Sequence, residues 1–276
     1  MEFKLLGPVK ACADGQQTDL LQAGGLQPRH RLLLAILLLA EGQRVGMDQL
    51  IEQMWSGREL TSPHSSLHHC ASRLRAALRA AEPAEYDPLP AQANGYRILM
   101  DPRQVDALRF RRLAGQARLQ AGHDDAEAVR LWRMALAEWG SHAPKLRGPA
   151  PLAGLSGQWA ESYRDTLRLE HRDVMIECLD AELRLGRHRR LVSELAALDA
   201  GDGGRDDEDL ARIRMLACYR SDRPSEALET FLRITGSLSR AGLEPGWELS
   251  LLAERIRRRD PALDVAEEVT QPSAPG

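Results

Sequence analysis

Apolar residues at the start of the chain come in short runs. "FKLLGPVKACADG" (residues 3–15) is interrupted by Gly7-Pro8 and Asp14-Gly15, which predicts short strands joined by turns. "PRHRLLLAILLLAEG" (residues 28–42) is a much longer apolar segment. A proline suits the first turn of a helix and a glycine suits its end, so this segment is predicted to be the first long helix.

Two further helices and a hairpin are predicted before residue 101. In "MDQLIEQMW" (residues 47–55) the apolar residues recur at helical spacing. "SGRELTS" (residues 56–62) is a predicted loop, and "HSSLHHCASRLRAALRA" (residues 64–80) is a predicted third helix. Asn94-Gly95, a strong hairpin-turn signal, precedes the strand-like "YRILM". Three helices followed by a hairpin indicate a winged helix-turn-helix with a wing hairpin and a small β-sheet in front, and a fragment ending near Met100 is expected to keep its fold.

From Val105 onwards one pattern recurs: the end of a helix, a tight turn and a new helix. It is seen around Gly122, Gly186 and Asp222, and the last two positions lie 36 residues apart, close to the period of about 34 in tetratricopeptide repeats. The fold class is therefore predicted as mainly α. The expected domains are a winged helix over residues 1–103, an all-α tetratricopeptide-like domain over residues 104–264 and a disordered tail over residues 265–276.

Composition narrows the class of protein. Hydrophobic residues make up 43% of the chain and charged residues 28%, which is typical of a globular protein. The longest apolar run, Leu32–Ala40, is too short for a bilayer, and no signal peptide is recognisable. The four cysteines are scattered without CxxC spacing, as expected of reduced thiols. We therefore expect a cytoplasmic protein without a membrane partner.

Charge distribution is more informative than the net charge of −3. Between Arg58 and Arg79 there are four arginines and one acidic residue, Glu59, so a locally basic surface is predicted. On the third helix Leu67, Ala71, Leu74 and Leu78 share one face. The opposite face is small, polar and basic, and such a face can enter a major groove of DNA.

Individual roles follow from that face. Its polar side chains are the candidates for reading base edges: Ser65, His68, His69 and Ser72. The candidates for phosphate contact are the arginines on this helix and near the start of the first helix: Arg73, Arg75, Arg79, Arg29 and Arg31. A solvated helix face without a partner remains an alternative.

A metal-binding site is the alternative function for the predicted third helix. His64 and His68 are spaced so that they could share an ion, but Cys70 points to the core, His69 points away, and no HExxH arrangement exists. Dinucleotide, P-loop, hydrolase and kinase motifs are also absent from the sequence. We therefore expect no catalysis, no metal and no cofactor.

Several segments resemble one family in its own order. "FKLLGPV", "PRHRLLLAILLLAEGQRVGMDQLIEQMW", "SLHHCASRLRAAL", "NGYRILMDPRQVDALRFRRL", "CYRSDRPSEALETF" and "GLEPGWELSLLAERIRRRDPAL" look like the Streptomyces antibiotic regulatory proteins, over about residues 2–264. The chain resembles the small members of that family. The "AQAN" before Gly95-Tyr96 lacks the basic residue usual in the family, which puts a phosphate contact there in question. The His64-Ser65 start of the third helix also departs from the family's usual residues, which puts the preferred DNA sequence in question.

The resemblance implies an OmpR-type winged helix followed by a bacterial transcriptional activation domain. It implies an activator, typically of a secondary-metabolite gene cluster, that binds direct repeats in double-stranded promoter DNA as a homodimer or side-by-side pair. It also implies recruitment of RNA polymerase holoenzyme, through the loop that contains Ser56, Gly57, Arg58 and Glu59. Two other classes stay open: a tetratricopeptide scaffold that binds only protein, and a metal-dependent enzyme or sensor.

Overall fold

The computed structural model describes residues 1–13, 18–56, 61–80, 87–90, 94–140, 150–199 and 207–264. It is mainly helical, with two small antiparallel sheets. Among the described residues two compact units are distinguished, one of residues 1–116, 131–140 and 150–174 and one of residues 117–130 and 175–264. The predicted fold class is confirmed. The predicted disordered tail and the Asp14-Gly15 turn lie outside the described residues.

The first unit begins with two short strands. β1 (Glu2–Lys4) pairs with β2 (Lys10–Cys12), with Phe3 opposite Ala11. The turn between them contains Gly7-Pro8, as predicted. A second small sheet joins β3 (Val45–Gly46) to β4 (Gly95–Tyr96).

Four helices of the first unit precede β4, and apolar packing explains their arrangement. They are α1 (Leu20–Ala23), α2 (Pro28–Leu39), α3 (Met47–Trp55) and α4 (Pro63–Arg79). α2 starts with a proline, and every residue from Leu32 to Leu38 is buried. α2 and α3 pack on each other, and α1, α2 and α3 all pack on α4, which is the predicted winged-helix core.

The predicted wing hairpin is only partly within the described residues. Asn94 has a left-handed φ of 57°, consistent with a turn, and residues 91–93 lie outside the description. The amide of Leu99 donates to the carbonyl of Pro88 at 2.8 Å. However, only the first residue of "YRILM", Tyr96, lies in a strand. That strand, β4, pairs with β3. Gly95 permits that pairing, since a Cβ there would lie 2.4 Å from the carbonyl oxygen of Val45.

The rest of the described chain is helical. Gly122, Gly186 and Asp222, the three recurring turn residues, all have positive φ angles, of 82°, 70° and 59°. This is the conformation that ends a helix in an αL cap, so the recurring pattern marks three equivalent helix–turn–helix elements. The helices are α5 (Asp106–Gln120), α6 (Asp125–Ala137), α7 (Gln158–Arg184), α8 (His188–Asp199), α9 (Glu208–Tyr219), α10 (Pro224–Arg240) and α11 (Trp247–Arg257).

β1 is also held by residues beyond residue 103 within the same unit. The carboxylate of Asp106 accepts hydrogen bonds from the amides of Leu5 and Leu6, at 2.8 and 3.2 Å. The carbonyl of Leu5 accepts from the amide of Leu152 at 2.9 Å. Burial raises the pKa of Asp106 to about 6, although these amides favour the ionised form.

Candidate nucleic-acid interface

α4 is amphipathic in the sense that its sequence predicts. Pro63 occupies its first turn. Its buried residues are Leu67, Cys70, Ala71, Leu74 and Leu78, each at most 1% exposed. Burial also raises the pKa of the Cys70 thiol to about 12, so this cysteine is an inert core residue.

The opposite face of α4 carries the predicted base-reading residues. All four are exposed: Ser65, His68, His69 and Ser72. Ala76 continues the same face, and α4 contains no acidic residue. The exposed surface therefore offers hydroxyl and imidazole groups without a carboxylate that would repel a phosphate backbone.

His68 differs from the other three exposed residues because its ring is hydrogen-bonded to another side chain of the protein. Its Nδ1 lies 2.6 Å from the hydroxyl of Tyr96 on β4, and the two rings are in edge contact. Burial raises the pKa of Tyr96, so the phenol stays protonated and shares a hydrogen bond with His68. This bond fixes the imidazole at the β4 side of α4 and leaves Nε2 for an outside partner.

Arg29 and Arg73 are exposed, and neither makes an ion pair with any residue that the structure describes. Burial lowers the pKa of His30, and the positive charges of Arg29 and Arg73 lower it further. The thiol of Cys70 also points to the carbonyl of Arg29, at 3.7 Å. The start of α2 and the middle of α4 thus form one positive surface.

The other three predicted phosphate contacts are engaged internally. Arg31 donates to the carboxylate of Asp19 at 2.8 Å and to the carbonyl of Val9. Arg75 donates to the carbonyl of Leu89 at 2.6 Å. Arg79 pairs with Asp87 at 2.8 Å, with its side chain 52% exposed.

These bonds give the three arginines a structural role besides the predicted one. Arg31 ties α2 to Val9, just before β2, and to Asp19, whose side chain is only 7% exposed. Arg75 and Arg79 hold the segment 87–90 against α4. Asp19, Asp87, Leu89 and Tyr96 were not predicted as part of the site, and nothing in their spacing marks them, because their role depends on tertiary contacts.

Of the predicted polymerase-contact loop, the described part is Ser56. It is exposed, and its hydroxyl lies 3.4 Å from Glu52 Oε1 and 3.3 Å from Gln158 Oε1. Gly57, Arg58 and Glu59 lie outside the described residues.

His64 Nε2 lies 3.5 Å from Asp48 Oδ1, and Nδ1 of His68 contacts the hydroxyl of Tyr96. Within the described ranges, no group of three histidine, cysteine or acidic side chains could hold an ion. In the same ranges, no helix has the length and apolar character needed to cross a membrane.

The chain is similar to known proteins over most of its length. Residues 105–257 match the bacterial transcriptional activator domain, which is more than half of the chain. AfsR of Streptomyces coelicolor, a regulatory protein, is 33% identical over 268 residues, covering 95% of this chain and 25% of AfsR. The regulatory protein DnrI of Streptomyces peucetius is 29% identical over 272 residues, covering 96% of this chain and 94% of DnrI.

A solved structure is also similar. Mycobacterium tuberculosis EmbR in complex with a low-affinity phosphopeptide matches with a TM-score of 0.81 and 29% identity, over 94% of this chain and 65% of that chain. The chain spans only about a quarter of the length of AfsR. These relatives are transcriptional regulators and not enzymes. The chain belongs to the bacterial transcriptional activator domain family and is similar to the Streptomyces regulatory proteins AfsR and DnrI.

Proposed function

We propose that the chain binds double-stranded promoter DNA sequence-specifically, with α4 as the recognition helix in the major groove. The observation that carries this proposal is the exposed face of α4. It presents hydroxyl, imidazole and guanidinium groups, contains no carboxylate, and lies beside the exposed Arg29. The alternative, a solvated helix face without a partner, does not explain why basic residues of both α2 and α4 lie on the same surface.

The four exposed polar residues of α4 are the proposed contacts to base edges. Ser65, His69 and Ser72 lie on the open face, and His68 contributes Nε2 because Tyr96 occupies its Nδ1. Side chains of this kind read base edges through hydrogen bonds in the major groove.

The arginines divide into two groups. Arg29 and Arg73 are the main proposed phosphate contacts, because no described carboxylate neutralises them. Arg79 is half-exposed and can exchange Asp87 for a phosphate. Arg31 and Arg75 are proposed to contribute less, because their side chains are mostly buried and already bonded.

The finer activity rests on the family resemblance. We propose binding to direct repeats as a homodimer or side-by-side pair, activation of an antibiotic or other secondary-metabolite gene cluster, and recruitment of RNA polymerase holoenzyme through residues 56–59. The functional boundary is proposed near residue 103, with a winged helix over residues 1–103 and a tetratricopeptide-like activation domain over residues 104–264. The match of the activator domain to residues 105–257 supports that boundary.

The test is a duplex-binding assay. Labelled duplexes from the region upstream of the neighbouring genes, and scrambled duplexes of the same composition, are titrated by fluorescence anisotropy at several salt concentrations. The proposal predicts tighter binding to one native duplex and a steep fall in affinity with salt, because phosphate contacts release counterions. A protein-only scaffold predicts no binding to any duplex at low salt, and that result would overturn the proposal.

A further inference from the structure

The hydrogen bond between His68 and Tyr96 joins an exposed side chain to a buried one. Nδ1 of His68 lies 2.6 Å from the Tyr96 hydroxyl, and the two ring centroids are 6.1 Å apart at an angle of 71°. His68 is exposed, whereas Tyr96 is only 5% exposed. The buried phenol is therefore placed to control the exposed imidazole, and the direction of their hydrogen bond determines what the imidazole offers to DNA.

The Tyr96 hydroxyl has a fixed position before any DNA binds. Tyr96 lies opposite Val45 in the pairing of β4 with β3, and Gly95 leaves the space for that pairing. A ring packed in a protein interior has little freedom to move. His68 is carried by α4, which packs on α2 and α3. Both partners are thus held by the fold, as a preorganised recognition site requires.

Two directions are chemically open to this hydrogen bond: the hydroxyl donates to Nδ1, or a protonated Nδ1 donates to the hydroxyl oxygen. In the part of the chain that the structure describes, Nδ1 of His68 is the one hydrogen-bond partner of the Tyr96 hydroxyl. If Nδ1 carried the proton, the phenolic O–H would lack an acceptor among those residues. A buried donor without an acceptor costs free energy, so the arrangement favours a hydroxyl that donates to Nδ1.

The other ring nitrogen then has a defined role. A neutral imidazole carries a single N–H, so an Nδ1 that accepts leaves the proton on Nε2. In the major groove the purine N7 atoms are acceptors, whereas the amino groups of cytosine and adenine are donors. An Nε2–H can bond to an acceptor and not to these amino groups. N7 is also the acceptor that every base pair presents there.

We propose that Tyr96 is a positioning residue that holds the proton of His68 on Nε2, so that His68 donates to N7 of a purine in the recognised DNA site. This inference rests on the proposed function and adds to it a preference for a purine over a pyrimidine at one position of one strand. The hydroxyls of Ser65 and Ser72 can donate or accept, so this selectivity belongs to His68.

The tautomer is tested on the full chain without DNA. The histidines are labelled with nitrogen-15, and the ring nitrogens of His68, identified with His68→Ala, are observed by NMR at about pH 8, where imidazoles are neutral. A protonated Nε2 and an unprotonated Nδ1 are expected. Tyr96→Phe should move the Nδ1 signal and lower the share of the Nε2–H form. A protonated Nδ1 in the parent, or identical signals in Tyr96→Phe, would overturn the proposal.

The base contact is tested with the native duplex of the anisotropy assay. Each purine is replaced in turn by its 7-deaza analogue, which lacks N7 and still forms its base pair. At one purine this replacement should weaken binding of the parent by about fivefold or more, the effect of one hydrogen bond. The same replacement should weaken His68→Ala and Tyr96→Phe by less than about twofold, because the oriented donor is missing.

Tyr219→Phe is the matched control, since it removes a phenol hydroxyl from the second unit, and it should behave like the parent in both experiments. Thermal melts show that each variant is folded, and the comparison of the parent with His68→Ala does not depend on Tyr96→Phe. The proposal fails if no 7-deaza purine affects the parent more than His68→Ala, or if a folded Tyr96→Phe keeps the full effect. If the parent binds no duplex, the proposed function and the purine contact fail together, whereas the NMR result still decides the tautomer.

Discussion

Replacing Arg73 by glutamine removes one positive charge from the exposed face of α4 and should weaken binding to every DNA sequence. The slope of log affinity against log salt is expected to become shallower by about 0.9, the value for one phosphate contact on B-DNA. Between 50 and 200 mM salt, that single contact accounts for about threefold in affinity. Folding stability should change by less than about 0.5 kcal/mol, because Arg73 is exposed and pairs with no described carboxylate.

Arg31→Gln is the informative comparison, because the same charge is removed from a residue that is already bonded. Its loss leaves the carboxylate of Asp19 largely buried without its cation. Loss of a charged hydrogen bond of this kind costs about 2 kcal/mol of folding stability. The salt slope should change less than in Arg73→Gln.

Anisotropy titrations on native and scrambled duplexes, with urea denaturation of each variant, separate the two effects. The reasoning fails if Arg73→Gln leaves the salt slope unchanged or weakens only the native duplex. It also fails if Arg31→Gln alters the slope as much as Arg73→Gln without loss of stability.

Four further outcomes are expected. His69→Ala should weaken the native duplex by about 1–3 kcal/mol in anisotropy titrations and hardly affect the scrambled one; equal loss on both would exclude base reading. Burial raises the pKa of Asp106 from 3.8 to about 6, so the folded state binds its proton more tightly. Its contribution to the free energy of unfolding therefore falls by about 3 kcal/mol as pH rises from below 4 to above 6. Asp106→Asn should remove this fall from the unfolding free energy measured by urea denaturation across that pH range. The same pH dependence in Asp106→Asn and in the parent chain would contradict the reasoning. Gly186→Ala should cost about 1–2 kcal/mol in the same measurement, because its φ of 70° suits glycine. A fragment of residues 1–174 should melt cooperatively by circular dichroism, whereas residues 1–100 should not, and a cooperative melt of the shorter one would refute this.

The helix α4 was predictable from sequence because its information is local. A spacing of three and four residues places Leu67, Ala71, Leu74 and Leu78 on one face, and that face is buried. The three recurring turns were predictable for the same reason, since glycine favours the left-handed conformation that commonly ends a helix. Asp222 shows the limit of residue type alone, because it takes at 59° the conformation that glycine takes in the other two turns.

The wing and the bracing contacts were not predictable in detail because they join distant segments. Asn94-Gly95 signals a turn, but the pairing of β4 with Val45 depends on the space that Gly95 leaves beside that carbonyl. The bond between His68 and Tyr96 and the bonds of Arg75 and Arg79 to residues 87–89 also have no local pattern. Sequence reasoning therefore named the surface of α4, and the structure distinguished its open residues from those that hold it together.

The way β1 is held leads us to expect that a fragment ending near residue 103 does not fold by itself. A two-stranded sheet of three-residue strands is marginal by itself, yet Leu5 and Leu6 bond to Asp106 and Leu152 bonds back to Leu5. β2 in turn contacts α1, and α1 packs on α4. A continuous series of contacts thus runs from the start of α5 through the N-terminal strands to α4. The first turn of the activator domain therefore helps to fix the position of α4, and a boundary drawn from sequence families alone would cut that series of contacts.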